Sequence, residues 1–108
     1  MLRLLVFTAT YNERDNVGCL IDEISSIVPE ADILVLDDSS PDGTWDIIQA
    51  KLQQNRRIKA VRRPLKLGIG SAHKYALTYA MREDYDLLLT MDADFSHRPS
   101  EIPTRRSV

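Results

Sequence analysis

Four short stretches of this 108-residue chain carry side chains whose type and spacing could do chemistry. Asp92 and Asp94 stand two residues apart, directly after the apolar run Leu87-Leu88-Leu89-Thr90-Met91. At the end of an extended segment both carboxylates can reach one hard cation. Mg2+ or Mn2+ suits such oxygen ligands and keeps positions for water and diphosphate oxygens. That ion would offset, as a Lewis acid, the charge building on a leaving nucleoside diphosphate. The competing explanation is a solvated turn with two aspartates, and for an isolated Asp-x-Asp it is the stronger one. His97 follows three residues later; it could approach the same metal or be an ordinary surface imidazole.

Asp37-Asp38 follows a second apolar run, Ile33 to Leu36. A carboxylate there can accept hydrogen bonds from a base N–H or a ribose hydroxyl, as the acidic residue of dinucleotide folds does. Taken alone, a helix N-terminal acidic pair favoured by the macrodipole explains it as well. Gly68-Ile69-Gly70 resembles part of a glycine-rich nucleotide loop. His73 stands where the third glycine of the dinucleotide fingerprint would be, however, and no Gly-Lys-Ser/Thr follows. Tight entry into a helix is the expected role. Arg56, Arg57, Arg62, Arg63 and Lys66 read as a solvated basic rim, with phosphate contact the minor alternative. Cys19, in a helical run of apolar residues, reads as a buried packing residue. His73, Tyr75 and Tyr79 read as structural.

The elements that must position these groups alternate regularly. Leu2 to Ala9 is a continuous apolar run, as in a strand buried on both faces. Val17, Leu20, Ile21, Ile24, Ile27 and Val28 recur at helical spacing and Pro29 closes that helix. Ile33 to Leu36 is the second strand. Ser39-Ser40-Pro41-Asp42-Gly43-Thr44 is turn chemistry, with Thr44 the expected N-cap of a helix turning Trp45, Ile48 and Leu52 inward. Ile58 to Val61 is a short third strand. A third helix follows Gly68-Ile69-Gly70-Ser71, with Ala72, Ala76, Tyr79 and Ala80 on one stripe, and Leu87 to Met91 is the fourth strand. This order implies right-handed crossovers and a mainly parallel sheet. Ligands of such sheets bind beyond the carboxyl ends of the strands. Thr10-Tyr11-Asn12-Glu13, Asp37-Asp38-Ser39-Ser40 and Asp92-Ala93-Asp94 are therefore expected on one edge, and that convergence outweighs any of the three alone.

Bulk properties narrow the class. Charged residues make up 28% of the chain and net charge is only −2, which gives no electrostatic argument for nucleic acid. The single cysteine excludes an intramolecular disulfide. No apolar run approaches the roughly 20 residues that span a bilayer. The expectation is a cytoplasmic protein with at most peripheral membrane contact.

Thr10-Tyr11-Asn12-Glu13, Asp37-Asp38-Ser39-Ser40-Pro41-Asp42-Gly43-Thr44, Lys66-Leu67-Gly68-Ile69-Gly70-Ser71-Ala72 and Met91-Asp92-Ala93-Asp94-Phe95-Ser96-His97 occur in an order and approximate spacing that resembles the dolichol-phosphate (polyprenol-phosphate) mannosyltransferases of glycosyltransferase family 2. The resemblance runs from about residue 4 to about Pro103. The Ser-Pro-Asp-Gly-Thr and Met-Asp-Ala-Asp…Ser-His blocks are its specific part. It implies an α/β GT-A (Rossmann-like) nucleotide-diphospho-sugar-binding domain over residues 1–103, N-terminal part only, with a frayed tail at 104–108. It also implies inverting transfer of mannose from GDP-mannose to a dolichyl or polyprenyl phosphate, with glucose left open as donor sugar. A non-catalytic sugar-nucleotide-binding module is the alternative; a receiver-like acidic pocket has no need of Asp94 or of the Ser-Pro-Asp-Gly-Thr block. Carried over residue by residue, Ala9, Tyr11, Glu13, Leu36 and Asp38 would line the nucleotide pocket. Asp92, Ala93 and Asp94 would hold diphosphate and metal, catalysis resting on Asp92 and Asp94, and Ser96 could complete the metal shell. Ala9 departs from the family, which usually has proline there. The family's downstream strands and acceptor loops are expected beyond the Asp-x-Asp region, so the acceptor half is expected outside this chain and the fourth strand as an edge.

Overall fold

The computed structural model describes residues 2–64 and 69–92, and at Ile69 and Asp92 the backbone alone. Four strands, β1 (Leu4–Thr10), β2 (Asp32–Asp37), β3 (Ile58–Arg62) and β4 (Leu87–Asp92), alternate with three helices, α1 (Arg14–Ile27), α2 (Thr44–Gln54) and α3 (Ile69–Arg82). All strand pairs are parallel and the sheet order is β3-β2-β1-β4.

The chain winds β1 to β2 to β3 in one direction, then returns to place β4 on the far side of β1. Crossovers between parallel strands are right-handed, so the reversal forces α3 onto the opposite face from α1 and α2. The core divides accordingly. Leu4, Val6, Ile33 and Val35 face α1 and α2, meeting Val17, Leu20, Ile21, Ile24 and Ile48. Leu5, Phe7, Leu34 and Leu36 face α3, meeting Ala72, Ala76 and Ala80. Residues of opposite parity thus fill two layers, which is why β1 and β2 read as unbroken apolar runs. The alanine stripe presents no bulk, so α3 lies close against the sheet. Tyr75, Tyr79 and Tyr85 flank that stripe, with ring centroids 6.5 and 6.3 Å apart along the row.

Two expectations are corrected here. Cys19 is exposed. At roughly 100° per residue it lies about 200° round α1 from Val17, opposite the stripe that packs. Thr44 is the first residue of α2 rather than its N-cap. Gly43 holds the cap position with φ +91°, a left-handed conformation that strains any residue with a Cβ, and Thr44 is buried.

Candidate functional site

Strand register brings the polar strand ends together. Thr10, the last residue of β1, pairs with Asp37, the last of β2; Ala9 pairs with Leu36 on one side and with Asp92, the last residue of β4, on the other. Strand order reverses between β1 and β4, so the crevice beyond their carboxyl ends is the topological switch point, where open α/β sheets bind ligands. Tyr11 is exposed at this edge, at 38%. The backbone of Asp92 ends there. Ala93, Asp94, Ser96, His97 and Lys66 lie outside the described residues. Among the described residues no group of three or more His, Cys, Asp or Glu could hold a metal ion.

The two aspartates after β2 have different surroundings. Asp37 is fully buried and accepts hydrogen bonds from Thr10 Oγ1 (2.7 Å), Ser40 N (3.0 Å) and Ser40 Oγ (2.5 Å). It locks the end of β1 to the turn after β2. Asp38, 6% exposed, receives the Arg63 guanidinium fork, Nε to Oδ1 at 2.5 Å and Nη2 to Oδ2 at 2.8 Å. Arg63 is itself only 8% exposed, and its Nη1 reaches Ser71 Oγ at 2.8 Å in the first turn of α3. The expectation of a solvated rim is therefore wrong at Arg63. The residue follows β3, its N–H donates to Asp37 O, and that anchor turns the side chain inward over β2. Arg57, by contrast, is half-exposed and pairs with Asp32 at 3.3 Å.

The Ser-Pro-Asp-Gly-Thr loop has a role that the sequence reading missed. Ser40 Oγ accepts from Asn12 N (2.9 Å), Thr44 Oγ1 from Glu13 N (3.1 Å) and Asp42 Oδ2 from Arg14 N (3.2 Å). Three polar side chains at alternate positions thus satisfy three successive amides where β1 turns into α1. Asp42 also accepts through Oδ1 from Thr44 N, at 3.0 Å, and from the Thr44 hydroxyl. These bonds, chiefly the one from the Thr44 hydroxyl, hold the Asp42 carboxyl below its usual pKa range. The turn they secure includes Asn12, at φ 55°. The loop thus takes up the amides of Asn12, Glu13 and Arg14, donors of the kind that many helix N-termini leave to an anion. The signal was present as the spacing Ser40-x-Asp42-x-Thr44.

Glu13 holds the N-cap position of α1, its carboxylate accepting from Asn16 Nδ2 at 3.2 Å. Leu36 is wholly buried in the layer beneath α3, so its side chain supports the edge from below. Gly70 has no neighbour within 4 Å of a built Cβ among the described residues and no positive φ, so neither reason for a glycine at a tight helix entry holds there. His73 packs edge-on to Phe7, with centroids 5.8 Å apart. A cleft of about 410 Å³ lies at the amino-end edge of the sheet, lined by Leu2, Arg3, Leu4, Glu30, Asp32, Arg57 and Tyr85. Its residues are at the wrong ends of the strands to join the site.

A doubly wound parallel sheet with acidic strand ends at its switch point defines an open α/β domain whose ligand crevice lies at that edge. The chain belongs to glycosyl transferase family 2, whose sequence profile matches residues 5–104. It is 35% identical over 102 residues to undecaprenyl-phosphate mannosyltransferase of Micrococcus luteus, covering 94% of this chain and 42% of that protein. It is 38% identical over 101 residues to polyprenol monophosphomannose synthase of Mycolicibacterium smegmatis, covering 93% and 38%. The resemblance to polyprenol-phosphate mannosyltransferases therefore stands, and the chain spans about two fifths of the length of these relatives. In fold it is similar to the mannosyltransferase PcManGT of Pyrobaculum calidifontis, solved in complex with GDP-Man and Mn2+ (TM-score 0.77, 22% identity, 92% of this chain and 29% of that one). It is also similar to S. aureus TarS 1-349 (TM-score 0.78, 22% identity, 98% and 31%). The architecture is the N-terminal portion of the GT-A fold, as the sequence led us to expect.

Proposed function

We propose that this chain supplies the donor-binding half of an inverting, metal-dependent mannosyltransferase that uses GDP-mannose and a polyprenyl phosphate. The observation that carries the reading is the register at the switch point, with Asp92 opposite Ala9 and Asp37 opposite Thr10. The names of the two relatives, both mannosyl-transferring, support the sugar and the lipid class. Tyr11, Glu13 and Asp38 would face the nucleoside, with Ala9 and Leu36 behind them. Asp92, Ala93 and Asp94 would lie at the diphosphate.

In such a reaction a phosphate oxygen of the lipid attacks the anomeric carbon as the bond to the GDP oxygen breaks, inverting the centre and releasing GDP. A lipid phosphate is anionic near neutral pH, so it attacks without the strong general base a hydroxyl would need. Asp92, Asp94 and Ser96 offer hard oxygen donors that suit Mg2+ or Mn2+. The ion would supply charge neutralisation at the departing diphosphate. No helix among the described residues is long and apolar enough to cross a membrane; contact with the lipid acceptor is read as peripheral, and acceptor positioning as a task for residues outside the described elements.

The test is calorimetric titration of GDP-mannose into the 108-residue chain with and without Mn2+, beside Asp92→Asn. Metal-dependent binding that the substitution abolishes is expected. Binding without metal dependence, or none in a folded sample, would remove the donor-site reading.

A further inference from the structure

The net charge of −2 hides a strong asymmetry along the chain. From Ile47 to Arg82 there is no Asp or Glu, while nine of the 14 basic residues fall there. Such an imbalance within one domain points to an anionic partner. The fold then sorts these cations. Lys51 pairs with Asp22, Arg57 with Asp32, Arg63 with Asp38 and Arg82 with Glu83. Arg56, Lys59 and Arg62 are exposed and, among the described residues, have no carboxylate within ion-pair reach. All three belong to β3 or to the turn that leads into it. Lys59 Nζ donates to Arg56 O (3.4 Å), and the Arg62 guanidinium lies 5.7 Å from the centroid of the Trp45 ring. Alternation sends Lys59 and Arg62 to opposite faces of the strand. The charge therefore surrounds the outer side of β3, the terminal strand of the described sheet, over a length of about 17 Å.

Charges on an edge strand also block pairing with another sheet. One lysine is enough for that, and either sign serves. The opposite outer strand, β4, carries no Lys or Arg, so cationic edge protection is not a general device of this sheet. Three cations without acidic partners instead raise a positive potential along one flank. We infer that the β3 edge docks the protein on an anionic bilayer surface, with its cations at the headgroup phosphates and Trp45 beside them at the interface. The choice of a bilayer among polyanions rests on the polyprenyl-phosphate acceptor of the proposed function, since that substrate is held in a membrane. The Arg62 end of the strand is in register with Asp37 and, through it, with Thr10. One end of the cationic edge thus lies beside the crevice.

The experiment is co-sedimentation of the 108-residue chain with vesicles of phosphatidylcholine alone, or with about one third phosphatidylglycerol. Binding to the anionic vesicles only is expected, and its loss at about 0.5 M salt. Each cation at such a surface strengthens binding about fivefold. Arg56→Gln/Lys59→Gln/Arg62→Gln should therefore weaken it about a hundredfold. Lys51→Gln/Lys74→Gln/Arg82→Gln removes the same charge elsewhere and should stay within about threefold. Lys59→Glu keeps a charged edge and should weaken binding by about fivefold or more; unchanged binding there would reduce the cations to edge protection. Circular dichroism verifies folding, and Lys59→Glu, a single exposed change, decides the matter if the triple variant does not fold. Absent binding, equal binding to both vesicles, or equal loss in the two triple variants would overturn the inference. Displacement from the vesicles by polyuridylate at matched phosphate concentration would do so in favour of nucleic acid. No donor is added, so failure of the GDP-mannose titration and failure of this docking face are separate results.

Discussion

Single side chains at the site edge divide into those that hold the turns and those that face outward. Asp42 is a holder, and its chemistry gives a pH signature. Its carboxyl is kept below the usual 3.8, chiefly by the Thr44 hydroxyl; desolvation opposes this, and the Thr44, Arg14 and Asp42 amides each add a lesser lowering. A depressed folded-state pKa contributes stability above the unfolded value, and that stability is lost as pH falls through the folded one. Asp42→Asn should therefore lower the melting temperature at neutral pH, and the gap to the unsubstituted chain should close as pH drops below 3.8. Melting curves from about pH 7 to about pH 2 measure this; a gap constant across that range would show that the carboxylate charge is not what holds the turn.

Between elements, the contact of α1 with α2 is set by Gly18. A Cβ built there would lie 3.4 Å from Ile47 Cγ2 and 3.6 Å from Lys51 Cε, which a methyl group fills without displacement. Gly18→Ala is thus expected to stabilise by about 0.5–1 kcal/mol through helix propensity and a less flexible unfolded chain. Gly18→Leu should destabilise by roughly 1–3 kcal/mol by wedging the helices apart. Urea unfolding distinguishes them, and equal destabilisation by both would mean that the helices leave no room even for a methyl. The Lys51–Asp22 pair bridges the same helices at 2.8 Å, but Asp22 is 63% exposed and such pairs are worth little.

Across the whole molecule the sheet separates two polar edges. The carboxyl-end edge holds the candidate site. The amino-end edge holds Tyr85, whose hydroxyl donates to Asp32, with the Arg3 guanidinium 4.5 Å from the ring centroid. Burial first, and the bond to Asp32 second, push the Tyr85 phenol well above its usual 10.0. The neutral phenol is thus favoured in the fold; its contribution is full below pH 10.0 and lost as pH rises towards the folded value. Tyr85→Phe should cost about 0.5–1.5 kcal/mol at neutral pH, blunt the alkaline loss of stability, and leave Mn2+-dependent GDP-mannose binding unchanged. A drop in donor affinity would show that the two edges are coupled through the sheet.

The sequence by itself determined a good deal. Unbroken apolar runs at β1 and β2, helical periodicity at α1 and the alanine stripe of α3 identified those four elements, because burial on both faces or on one stripe leaves a period in the chain; the shorter patterns at α2, β3 and β4 completed the alternation. The alternation of strand and helix then implied the parallel sheet and its polar edge. Only the tertiary structure decided which polar residues face one another. Cys19 sits among apolar neighbours in sequence yet on the outer side of α1, since the helix turn, not adjacency, sets burial. Arg63 reads as one more cation in a basic stretch, and its inward turn depends on β2 and α3 meeting beside it. Ser40, Asp42 and Thr44 read as generic turn residues, because their partners lie 28 to 31 positions earlier in the chain. Local pattern reports what a residue must hide from water; long-range register alone determines which partner satisfies it.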